Sequence, residues 1–138
     1  MTENGIAAVL DALREGERHL TAELLALARR HRQEHEIHHV ATDLAHWSAG
    51  HDRLLEEALD RFAPADQARL SLLEDLRALH LAVAGNLVYW QMLTQAAAAS
   101  RDARLTELVE HGRPHAERQL RWTETMIKNL SAQLLTVS

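Results

Sequence analysis

Cysteine is absent from this 138-residue chain, which excludes disulfides and thiolate metal ligands but leaves the compartment open. Proline occurs twice and glycine five times, too few to punctuate a loop-rich chain. No segment alternates apolar and polar residues with period two, so strands are not expected. No apolar run approaches the length that crosses a bilayer, so no membrane role is expected. The opening residues Met1-Thr2-Glu3-Asn4-Gly5 lack the basic and apolar regions of a signal peptide, which makes a cytoplasmic protein the expectation. An excess of basic charge is missing too. Fifteen basic residues face 20 acidic ones, for a formal net charge of -5. The longest basic cluster, Arg29-Arg30-His31-Arg32, is bounded by Glu34 and Glu36, so no nucleic-acid footprint is expected.

What remains is apolar and helical. The chain is 46% apolar and 25% charged, ordinary for one soluble domain spanning residues 1–138. A first helix is predicted from about Gly5 to His31, with Ile6, Val9, Leu13, Leu20, Leu24 and Leu27 on one stripe. A second runs from about Glu36 to Phe62, with Ile37, Val40, Leu44, Leu54, Leu55, Ala58 and Phe62 inward. No Gly or Pro separates them. Extending the first helix at about 100° per residue, however, puts the second stripe on the opposite side. The phase therefore predicts a break between His31 and Ile37.

Ala63-Pro64-Ala65-Asp66 supplies a proline stop and an aspartate cap. The third helix, about 66–99, turns Leu72, Leu73, Leu76, Leu79, Val83, Leu87 and Trp90 inward. The fourth, about 102–135, carries Leu105, Leu108, Met126, Ile127 and Leu130, with a kink or brief break predicted at Gly112-Arg113-Pro114. Short connections predict an all-α, antiparallel up-down-up-down four-helix bundle.

Three ionisable residues sit where leucines should be: Glu17, His51 and His80 each fall on an apolar stripe. With a turn near residue 34, Glu17 and His51 are each about 17 residues away and face one another. His80 is offset from that level by roughly 3 Å, and His115 lies about four residues higher on the fourth helix. Two readings follow. The cluster is a buried polar network that fixes helix register. Alternatively, Glu17, His51 and His80 bind one divalent metal, zinc or iron, with His115 or water completing the shell.

Ten histidines are the compositional excess. His31, His35, His38 and His39 crowd the first turn, and His35 and His39 have the spacing of a surface chelate. His111 and His115 form a second such pair around Pro114. Trp47 and Trp122 fall on helix flanks, which makes a homodimeric interaction or scaffold protein the competing expectation. The small residues Gly50, Ala84 and Gly112 suggest room for an apolar ligand. No phosphate loop and no Ser-His-Asp or Cys-His arrangement appears, so no catalytic residue is assigned.

The whole chain resembles the small ferritin-like or hemerythrin-like bundle proteins of bacteria. The resemblance rests on His19, on Asp43-Leu44-Ala45-His46-Trp47-Ser48-Ala49-Gly50-His51, on His80, on Glu110-His111-Gly112-Arg113-Pro114-His115 and on Arg118-Gln119-Leu120-Arg121-Trp122. It implies a four-helix bundle and bound iron. The chain departs from both patterns at the carboxylates. Ser48 and Gly112 stand three residues before His51 and His115, and Leu55 stands where a hemerythrin-like acid would follow His51. One ion rather than a pair is therefore expected.

Overall fold

A computed structural model describes residues 5–62 and 70–136. Among them the chain forms four helices and no strand: α1 (Ile6–Arg30), α2 (His35–Leu59), α3 (Ser71–Ser100) and α4 (Ala103–Thr136). The break expected between His31 and Ile37 falls at residues 31–34. The turn expected at Ala63-Pro64-Ala65-Asp66 lies outside the described residues. No described helix is long and apolar enough to cross a membrane. The helices fall into two compact units, α1 with α2 and α3 with α4.

In the first unit, cross-helix partners run in opposite order along the two helices. Arg14 meets Asp52 and Glu56, Glu17 meets His51, and Ala28 meets His38. That is the order of an antiparallel hairpin. His38 donates Nδ1–H to the carbonyl of Ala28 at 2.8 Å. This satisfies one of the carbonyls that the end of α1 leaves without a helical donor. Arg29 and Arg30 in the same last turn complement the negative end of the helix dipole.

The second unit closes more tightly. Only Arg101 and Asp102 separate α3 from α4. Arg101 ends α3 in the left-handed conformation, with φ 54°. Asp102 then caps α4, its Oδ1 accepting from the amides of Arg104 at 3.0 Å and Leu105 at 3.1 Å. α4 runs without interruption through Gly112-Arg113-Pro114, so the brief break is absent. Pro114 has no N–H, which removes the helical donor of the Glu110 carbonyl.

The seams are built from smaller side chains than the sequence pattern suggests. Ala28, Ala41, Ala45 and Ser48 are buried where α1 meets α2. Leu73, Leu76, Val83, Val109, Ala116 and Thr123 are buried between α3 and α4. Many residues assigned to the core are exposed instead: Val9, Leu13, Leu20, Ile37, Val40 and Leu54 on the first hairpin, and Leu72, Leu79 and Leu108 on the second. The reason is geometric. Two helices touch along a single line, and small residues there let the backbones approach. The leucines flank that line at helical spacing and form an apolar face on each hairpin.

Candidate functional site

Glu17 and His51 come together. The Glu17 carboxylate accepts a hydrogen bond from Nδ1–H of His51 at 2.8 Å, across α1 and α2. The level arithmetic is met because both residues lie equally far from the turn. Glu17 keeps 16% of its side-chain surface in solvent, whereas His51 keeps 53%. The pair is therefore half-buried on one side only, and the expectation of a fully buried cluster is corrected. Its neighbours explain this: the seam beneath is closed by Ala45 and Ser48, and His51 stands on the open flank beside it.

The Glu17 carboxyl is held below the usual carboxylate range, first by the His51 hydrogen bond and also by a hydrogen bond from Ser48, against an opposing desolvation. Ser48 lies three residues before His51 on α2. Here it serves the carboxylate of the facing helix. One turn along, Asp52 accepts from Nε of Arg14 at 2.7 Å and from Nε of Arg18 at 2.8 Å. Those two guanidiniums, Arg14 first, hold Asp52 below its ordinary range.

His80 lies in the other unit and is half-buried. Its Nδ1 is 2.7 Å from the hydroxyl oxygen of Thr123, which is itself 1% exposed. Thr123 in turn donates to the carbonyl of Leu120 at 2.9 Å. Gln119 of α4 is exposed. The inward polar residue of α4 is Thr123, one turn further on. Its signal was the heptad Val109, Ala116, Thr123, a row of small side chains facing α3.

His115 is exposed. It lines a groove of about 490 Å³ together with Leu79, Val83, Trp122 and Thr123. Its ring meets that of His111 edge to face, with centroids 5.1 Å apart. Of the remaining histidines, His38 is half-buried and the others are exposed. His35 and His39 stack with centroids 6.4 Å apart, His38 sits 5.4 Å from His39, and His19 pairs with Glu23 at 3.3 Å. Among the described residues, no group of three or more His, Asp or Glu side chains lies close enough together to hold a metal ion.

The space expected for an apolar ligand at Gly112 is taken by Trp90. A Cβ at position 112 would fall 2.5 Å from Cζ2 and 2.8 Å from Cζ3 of its indole, and closer still to Cη2. Trp47 and Trp122 are 66% and 54% exposed, as their flank positions imply.

The chain matches no family model, no curated protein and no solved structure.

Proposed function

We propose that this chain is a small helical-bundle protein that holds one divalent metal ion, zinc or iron, on Glu17, His51, His80 and His115. In this reading the apolar faces of the two hairpins close on one another. The product is an antiparallel up-down-up-down four-helix bundle, bent in α4 at Pro114 and similar to the ferritin-like and hemerythrin-like proteins. The mirror arithmetic that pairs Glu17 with His51 then carries His80 to within about half a helical turn of them.

One observation supports the reading above the others: a carboxylate and an imidazole already meet at 2.8 Å, at the level the turn predicts. Burying the leucine faces supplies the drive for closure, at about 25 cal/mol for each Å² of apolar surface removed from water. Two imidazoles with a carboxylate suit zinc or ferrous iron in donor type. No residue is assigned a catalytic step.

Cobalt(II) titration of untagged protein tests the proposal. One equivalent should bind with a visible absorption band, and His51→Ala and His80→Ala should each abolish it. Binding that survives both substitutions would belong to the surface pair His35 and His39. Absence of stoichiometric binding would overturn the metal reading.

A second reading is favoured by the exposure of Trp47 and Trp122. In it the protein is a homodimeric interaction or scaffold protein, and its Glu–His pair only fixes register. Light scattering separates the two: a monomer at every concentration counts against a dimer.

A further inference from the structure

From Leu81 to its end α3 is uncharged: residues 81–100 contain no Asp, Glu, Lys, Arg or His. Its packing against α4 uses one side, where Leu76, Val83 and Ala97 are buried. At about 100° per residue, Leu81, Val88 and Met92 fall on the opposite side of the helix. They are 52%, 47% and 59% exposed. They also lie opposite Leu72 and Leu79, the leucines that the bundle proposal covers. A helix that is apolar on every side is ordinarily covered on every side.

Gly85 stands in the middle of this outer stripe. A Cβ added to it would meet nothing within 4 Å, so no neighbour among the described residues accounts for a glycine there, as Trp90 does for Gly112. Gly16 and Gly50 are equally open, but they stand beside Glu15 and Glu17, and beside His51 and Asp52. Of the three, Gly85 is the one in an uncharged stripe. Ala78, Leu81, Gly85, Val88, Met92 and Ala99 are all exposed. With Gln95 between the last two, they follow the alternating three- and four-residue steps of a coiled-coil seam.

We propose that this stripe of α3 docks a second copy of the chain, antiparallel, across a twofold axis between Val88 and Tyr89. The stripe is its own complement in that arrangement. Gly85 of each copy faces Met92 of the other, Leu81 faces Ala96, and Ala78 faces Ala99, so large side chains meet small ones. The Tyr89 rings, 67% exposed, come together beside the axis. Charge agrees with the size pattern. Exposed Glu74 falls two residues, about 3 Å, from the level of Arg101 in the second copy, which is exposed at the end of α3. Parallel copies would instead set Glu74 against Glu74, Met92 against Met92 and an empty Gly85 against its like. The proposal deepens the homodimer reading by naming its surface and does not depend on the metal reading.

Sedimentation equilibrium of the full chain over a range of concentrations tests the surface. The unmodified chain should dimerise. Val88→Glu sets two carboxylates together at the axis and should weaken the dimer by about 100-fold or more, with helical circular dichroism unchanged. Because the chain has no cysteine, single introduced thiols read the register. Val88→Cys should link to itself under mild oxidation. Met92→Cys should not, since its two copies stand about 10 Å apart along the helices, but a mixture of Gly85→Cys and Met92→Cys proteins should form the mixed disulfide. A dimer unweakened by Val88→Glu overturns the proposal and leaves the homodimer reading to the Trp47 and Trp122 flanks. Monomers at every concentration overturn both. Met92→Cys linking to itself in preference to the mixed disulfide overturns the antiparallel arrangement.

Discussion

The indole of Trp90 occupies the space that any side chain at position 112 would need. Gly112 sits mid-helix in α4, where glycine ordinarily costs about 1 kcal/mol relative to alanine. Trp90 is the reason for it: the ring lies against bare backbone, and the two helices close around that contact. Gly112→Ala should therefore destabilise the protein by about 1–3 kcal/mol despite the better helix propensity. Urea unfolding measures it, and Trp90→Leu in the same chain should recover most of the loss. A Gly112→Ala protein as stable as its parent would show that the ring moves aside freely.

The turn between α3 and α4 offers opposite changes at adjacent residues. Asp102→Ala removes the acceptor for two amides and should cost about 1 kcal/mol. Arg101→Gly places the residue best suited to a positive φ where φ is 54° and should stabilise by about 0.5–1 kcal/mol. Thermal unfolding of the two variants should move in opposite directions.

Acid should loosen the α1–α2 hairpin through two carboxyls. Glu17 and Asp52 both titrate below their ordinary values in the folded chain, Glu17 because of His51 and Asp52 because of Arg14 and Arg18. A depressed folded pKa gives stability that is present above the unfolded pKa and is lost as pH falls through the folded one. Stability of the parent should therefore decline below about pH 4.5, the ordinary range of these acids. Asp52→Asn and Glu17→Gln should each flatten that decline. An unchanged slope in both variants would mean that neither pair is formed in solution.

The exposed leucines separate a lone hairpin from a covered one. A single surface leucine replaced by glutamate ordinarily changes stability by no more than about 0.5 kcal/mol. Leu20 and Ile37 are 41% and 44% exposed on the α1–α2 hairpin. Leu20→Glu and Ile37→Glu should each cost more than about 2 kcal/mol if their face is covered, as the bundle proposal requires. Neutral substitutions at both positions would leave that face uncovered.

The helices were legible because their signals are redundant. The phase shift between the stripes of α1 and α2 located a turn that contains no Gly or Pro. The α3–α4 link at Arg101-Asp102 falls where a fourth helix starting at about residue 102 was expected. The facing of Glu17 and His51 needed only a count of residues from that turn. The burial pattern was not legible. Hydrophobic size marks a face, but the line of closest approach belongs to the smallest residues on it, which is why Ala28, Ala41 and Ala45 are buried and Leu13 is not. Ser48 and Thr123 were hidden for the same reason. A small polar residue on a seam looks like a weak core position until its hydrogen-bond partner is seen.

The two-residue link at Arg101-Asp102 and the four-residue link at residues 31–34 also govern how the chain is made. Each hairpin closes a short loop first and then zips outward through contacts local to its own half, the low contact order that folds fast. Synthesis runs from the N-terminus at about 5–20 residues per second, far slower than hairpin closure. The α1–α2 hairpin, with Glu17 already on His51, can therefore be complete on the ribosome before Thr123 has been added to meet His80.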